Sequence, residues 1–317
     1  MDTQNKTPVS VQRCHTYRPP DLDSALERLL APLGGIEAYV QPGQRVLLKP
    51  NWVAARPVEY ACNTHPELLK AVTRLVRRAG GEAMIGDSPG IGSVQKVAEK
   101  LSLLDWLRTE NVPLIEFNAA VARESTHGHC QLKLANEALD ADVLINLPKL
   151  KTHQQLVMTG AVKNLFGCVK GRHKAWLHYA MGHREDDFAA MLIDNMLALK
   201  PALTIMDGVT GLQRGGPING EPVELGLLLA GTDCVAIDRV MYEICGVDPQ
   251  LVFVHRAAER IGAGVHQLEQ IDILGEPLSG IGLPPIILPP VLIPISFSLR
   301  HILRGLWRQF RHFWLHI

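Results

Sequence analysis

The run DVLINLPKLKTH, residues 142–153, delivers Lys149, Lys151 and His153 within five positions, and VKNLFGCVKG, residues 162–171, adds Lys163, Asn164 and Lys170. Residues 142–146 read as a buried strand, so these cations lie beyond its carboxyl end. Open parallel sheets bind their ligands at that edge. A core strand does not need so many positive groups there, and the chemistry they suit is capture of an anion. Other strand ends bring further groups: Lys49 and Asn51 after residues 45–48, Asp87 and Ser88 after residues 83–85, and Asp207 after residues 203–206.

Lysine supplies point charge for carboxylate or phosphate, and Asn51 and Ser88 supply directional hydrogen bonds. Lys49, Lys149, Lys151, Lys163 and Asn164 complete this substrate-binding set. A helix entered at Thr159-Gly160 aims its first N–H groups at the same anion. His153 or His178 is the candidate for proton transfer, because imidazole titrates near neutrality. Asp87 or Asp207 is the candidate to orient a base or hold a metal. Asp238 is expected to pair with a strand-end lysine, and Asp233 to cap a helix. For one lysine the plainer reading is a solvated loop residue, and the clustering is what favours a site. No metal site is assigned. His178 and His183 match no compact zinc spacing, THGHC (His127, His129, Cys130) reads as surface, and Cys62 with His65 lacks further ligands. Gly215-Gly216-Pro217 to Gly220-Glu221-Pro222 reads as a glycine-rich loop over the site. Neither a Walker loop nor G-x-G-x-x-G between strand and helix occurs, so the cofactor stays open.

The elements that must position these residues alternate. Strands are expected at residues 9–11, 45–48, 83–85, 112–117, 142–146, 203–206, 225–230 and 271–274. Helices are expected at 24–33, 65–79 with Thr64 as N-cap, 94–107, 160–168, 188–199, 234–245 and 251–262. The leucine, valine and alanine positions of the second helix recur every 3.6 residues. Residues 121–140 read as a short β excursion, and residues 171–185 as a polar, histidine-bearing loop or short helix. This rhythm implies right-handed crossovers and an α/β fold in three layers with a mostly parallel sheet. Residues 1–280 form the α/β domain, with a small inserted lobe at about residues 120–190.

The formal net charge of +0 argues against a general nucleic-acid binder. The charge is uneven: residues 281–317 hold Arg300, Arg304, Arg308 and Arg311 and no acid, which leaves about −4 on the first 280. Residues 281–299 are uncharged but contain five prolines, which disfavours a spanning helix. From Arg300 an amphipathic helix is expected, with Trp307 and Trp314 on its apolar face. It suits either an anionic membrane surface or docking on protein. Six scattered cysteines and the absence of an apolar leader fit a cytoplasmic protein, peripheral on the inner membrane face if the tail binds lipid.

Six blocks in order, VLLKPNW, THPELLKAV, IGDSPG, DVLINLPKLKTH, GAVKNLFGCVKG and AGTDCVAID, resemble the bacterial and archaeal family catalogued as domain of unknown function 362. The resemblance covers about residues 8–278. Members often carry a ferredoxin module with two four-iron clusters, which implies redox work; this sequence departs from them in that module, because no cysteine has cluster spacing. Lys49, Asn51, Asp87, Lys149, Lys151, His153, Lys163 and Asn164 match the family's blocks. The expectation is an enzyme acting on a small anionic substrate, with an external electron donor or redox partner protein if the reaction is redox. The alternative is a non-catalytic binding or adaptor protein at the membrane surface.

Overall fold

The computed structural model describes residues 6–296. The tail expected from Arg300 through Arg304, Trp307, Arg308, Arg311 and Trp314 lies outside the described residues. In chain order the elements are β1 (Thr7–Arg13), α1 (Pro19–Leu30), β2 (Arg45–Pro50), α2 (Pro66–Arg78), β3 (Glu82–Asp87), α3 (Val94–Lys100), α4 (Leu104–Thr109) and β4 (Leu114–Glu116). There follow β5 (Ala120–Ser125), β6 (Cys130–Ala135), α5 (Asn136–Leu139), β7 (Val143–Leu147), β8 (Lys149–His153), β9 (Val157–Thr159), α6 (Ala161–Asn164), α7 (Gly171–Met181) and α8 (Glu185–Leu199). The last are β10 (Leu203–Gln213), β11 (Glu221–Gly231), α9 (Cys234–Ile244), α10 (Phe253–Ile261) and β12 (Ile271–Gly275).

Ten strands make one sheet, ordered β12-β1-β11-β10-β7-β2-β3-β4, with β8 added beside β10 and β9 beside β8. β11 runs against both its neighbours and β9 against β8, while the other pairings are parallel. β5 and β6 form a separate two-stranded sheet. The fold is therefore α/β with a mostly parallel sheet. Its central strand β7 is buried at every position, as a parallel strand covered on both faces must be.

Period-2 alternation sorts the strand residues between the two helical layers. Val46, Leu48 and Ile145 pack with α1–α4, through Leu26, Leu69, Val97 and Leu107 among others. Leu47, Leu144 and Leu229 pack on the other face with Val162 of α6, Phe188 of α8, Met241 of α9 and Ala257 of α10. Lys49 continues the register of Leu47, and Asn146 that of Leu144, so both point toward α6. The same alternation puts Lys149, Lys151 and His153 on one side of β8, while Leu150 joins the core on the other.

Several boundaries differ from expectation for physical reasons. The helix expected over 94–107 breaks into α3 and α4, with Ser102 at a left-handed φ of 55° between them. β10 does not stop at Asp207-Gly208. It passes through a bulge between Gly208 and Thr210 and continues to Gln213, because β11 on one side and β8 on the other take up its backbone groups. Thr64 does not cap α2. His65 does, accepting from the Glu67 N–H at 3.2 Å, while the Thr64 hydroxyl donates to Leu147 O at 2.7 Å. Residues 171–181 are helical. The glycine-rich segment after β10 is the turn of the β10–β11 hairpin, and Gly216 O accepts the Gln154 N–H at 3.0 Å.

The proline-rich run lies across the domain as an irregular strap. Ile286 N donates to Cys245 O at 3.0 Å and Ile293 N to Gln154 O at 2.9 Å, with Ile281, Ile286 and Ile295 buried. Ile287, Val291, Leu292 and Ile293 face outward. No described helix is long and apolar enough to cross a membrane.

Candidate functional site

Two buried ion pairs anchor the strand ends. Lys49 Nζ lies 2.8 Å from Asp87 Oδ1, and Lys149 Nζ lies 2.9 Å from Asp207 Oδ2, all four side chains being at most 2% exposed. Each aspartate is otherwise committed. Asp87 accepts the Trp52 N–H at 2.9 Å and the Ser88 N–H at 2.7 Å. Asp207 accepts the Tyr17 hydroxyl at 2.6 Å and the His65 N–H at 2.9 Å. Such saturated carboxylates hold neighbouring groups in place and fit a positioning part better than that of a free base.

An amide network ties the pairs to the remaining lysines. Asn164 Oδ1 accepts from Asn51 Nδ2 at 2.8 Å and from Lys49 Nζ at 3.4 Å, and Asn164 Nδ2 donates to Asn146 Oδ1 at 2.8 Å. Lys151 Nζ donates to Asn51 Oδ1 and, at 3.0 Å, to Cys62 O. Lys174, on the inner side of α7, donates to Ser88 O next to Asp87. Lys163 Nζ stands 4.2 Å from the Phe166 ring centroid. Gly167 explains how the chain closes over this site. A Cβ there would run into Asp87 Oδ1 and Lys49 Nζ, so only glycine lets the α6–α7 connection pass.

Lys151, Lys163 and Lys174 form no ion pair with any carboxylate among the described residues. Burial pushes Lys151 down to about 7, with the Lys149 charge adding to the effect and the Cys62 and Asp87 groups opposing it. Lys163 falls to about 7 through burial and then through the charges of Lys174, Lys151 and Lys49. Lys174 falls to about 8, chiefly through burial. Lys149 is also lowered by burial, against the pull of Asp207.

The two histidines lie beside Lys163. His153 is held well below the usual imidazole value by burial and then by Lys163 and Lys151. His178 is lowered to about 3 by burial and then by Lys163. His153 Nδ1 accepts the Gln155 N–H at 3.0 Å, which assigns its proton to Nε2. His178 Nδ1 lies 3.0 Å from Ile295 O and must donate to it, which leaves Nε2 unprotonated. Two neutral imidazoles of opposite tautomer therefore flank the lysine cluster.

Other expected residues go elsewhere. Asp238 does not pair with a lysine. It accepts the Ala161 N–H at 2.6 Å and the Val162 N–H at 3.1 Å, and burial raises it to about 7. It thereby takes the helix start expected to receive the anion. Gly160 is needed there, because a Cβ would strike Asp238. Asp233 caps α9 through Val235 N and Ala236 N. His127 Nδ1 meets Asp194 Oδ1 at 2.6 Å, and this pair ties the β5–β6 turn to α8. No group of three or more histidine, cysteine or acidic residues among the described ones is arranged to hold a metal. Tyr17, Asn146 and Lys174 are site residues that sequence reasoning did not select. Tyr17 also stacks on His65 with ring centroids 3.5 Å apart.

Fold and site together define an α/β protein with a buried, lysine-rich site at the ends of its parallel strands. The family described as "Domain of unknown function (DUF362)" matches residues 46–243, which include all five lysines of the cluster. The chain belongs to this family. It is 41% identical over 307 residues to the thylakoid-associated protein sll1697 of Synechocystis sp., covering 97% of this chain and 94% of that protein. Among solved structures, the lactate racemase apoprotein from Thermoanaerobacterium thermosaccharolyticum aligns with a TM-score of 0.47 at 14% identity, over 73% of this chain and 56% of that one.

Removing the Asp87 carboxylate leaves Lys49 buried and unpaired, so Asp87→Ala should lower unfolding free energy by about 3–5 kcal/mol in urea titrations. Asp105→Ala, which breaks the exposed Arg108–Asp105 pair, should leave stability nearly unchanged. Equal effects of the two substitutions would contradict the buried-pair account.

Proposed function

We propose that this protein binds a small anionic substrate at the strand ends and acts on it. Lys151, Lys163 and Lys174 hold the anion, Asn51 and Asn164 orient it, and the neutral His153 and His178 imidazoles accept and return protons. Asp87 and Asp207 keep Lys49 and Lys149 fixed beneath it. The observation that carries this reading is the charge imbalance, in which five lysines meet two aspartates, with Lys49, Lys149 and Lys151 buried and Lys163 and Lys174 half-buried. Uncompensated buried ammonium groups are costly, and an anion relieves that cost. The neutral His153 beside Lys163 favours catalysis over passive storage, because its ring N–H faces the lysine cluster.

Thermal unfolding at constant ionic strength tests this. Carboxylate and phosphate anions should raise the melting temperature of the wild-type protein by several degrees and that of Lys151→Met much less. A wild-type melting temperature that no anion changes would sink the proposal.

A second reading, compatible with the first, is peripheral attachment to a membrane. The designation of the Synechocystis relative as thylakoid-associated favours it. So do the outward-facing Val291, Leu292 and Ile293, which lead toward the arginine- and tryptophan-bearing sequence after residue 296. The full chain should float with anionic liposomes, and a chain ending at Ser296, which retains the packed strap, should not. Equal flotation of the two would assign the contact elsewhere.

A further inference from the structure

The binding site just proposed also constrains the kind of anion. Its two aspartates are spent, one on Lys49 and one on Lys149. Lys151 is bonded only to neutral oxygens, of Asn51 and Cys62, and Lys174 to the Ser88 carbonyl. Lys163 has a phenyl ring as its neighbour. Three lysines therefore have no carboxylate to match them, and in a complex that charges all three one negative charge would leave most of the excess in place.

The type of cation is as informative as the count. All five are lysines, and among the described residues no arginine makes a hydrogen bond or ion pair into the cluster. Planar carboxylates are best gripped by the planar fork of arginine, which bonds both oxygens at once. Ammonium groups act as point charges that can surround a tetrahedral group from several sides. β2, β8, α6 and α7 each contribute at least one lysine, so the charges approach from different elements of the fold.

We propose that the ligand carries a phosphoryl group, held as a dianion or higher anion among Lys151, Lys163 and Lys174. This rests on the anion-binding reading above and narrows it to a class. Binding draws protons onto the lysines, because a phosphoryl anion beside them favours their charged forms. The groups facing the cluster are Lys49, Lys149, Asp87 and Asp207 of the pairs, His153 from β8, His178 from α7, and the Cys62 and Cys168 thiols, both raised by burial. In the ligand-free protein Lys163 is surrounded by like charge with no counter-charge, so its loss should help the empty fold and harm the complex.

Isothermal titration calorimetry of the full chain with inorganic phosphate, pyrophosphate, malonate and acetate, at pH 8 in buffers of different ionisation enthalpy, decides the matter. Expected are binding of phosphate or pyrophosphate at least about tenfold tighter than acetate or malonate, and net proton uptake on binding. Lys163→Met should weaken phosphate binding at least about tenfold while raising the melting temperature of the ligand-free protein. Lys174→Met is the second variant should the first not fold. Malonate or acetate binding as tightly as phosphate would overturn the phosphoryl assignment and leave anion binding standing. Phosphate binding without proton uptake, unaffected by either substitution, would place the ion outside the lysine cluster and overturn it too. Failure of every anion to bind would remove the underlying reading as well.

Discussion

Ammonium groups buried away from water are what the rest of this structure must accommodate. A buried charge is tolerated when it is paired and hydrogen-bonded. Lys49 and Lys149 meet that condition through Asp87 and Asp207, and those carboxylates in turn bind the backbone at Trp52, Ser88 and His65. The turns after β2 and β3 and the start of α2 are thus fixed by the same bonds that neutralise the lysines. Gly167 lets the α6–α7 connection descend onto the Lys49–Asp87 pair. The order of the strand ends is consequently a product of charge pairing as well as of apolar packing.

Lys151, Lys163 and Lys174 do not meet the condition, and that asymmetry separates the ligand-binding part of the site from its scaffold. Amide groups of Asn51, Asn146 and Asn164 bridge the two parts, holding lysines at set positions without cancelling charge. The strap ending at Ser296 touches the same region, since Ile295 O fixes the His178 tautomer.

The strand-end placement of Lys49 and Asp87 was legible because it depends on local pattern, apolar strands running into polar residues at their carboxyl ends, whereas Lys149 and Lys151 lie in a further strand, β8, and Asp207 lies within β10. Tyr17 was not, because it follows β1, which reaches the site only through the antiparallel β11 and lies 132 residues from Lys149 in sequence. Lys174 was hidden in a segment whose apolar residues Trp176, Leu177 and Met181 make no single stripe. Asp238 was assigned the wrong partner because two backbone N–H groups of α6, rather than a lysine, arrive at its carboxylate. The long β10 looked short because Gly208 and Gly211 read as turn signals, while pairing on both sides kept the chain extended.

The central claim is that the buried Lys151 and the half-buried Lys163 and Lys174 share a site without counter-charge. Titration of the lysine Cε carbon resonances in the ligand-free protein, with Lys151→Met, Lys163→Met and Lys174→Met used for assignment, tests it most directly. The account predicts three resonances that titrate far below the ordinary 10.5, two near about 7 and one near about 8. Between those values and 10.5 the unfolded chain binds protons that the folded site does not, so ligand-free stability should rise with pH across that window. Titration of all three at the ordinary lysine value would mean that the groups are hydrated or paired, and would contradict the account.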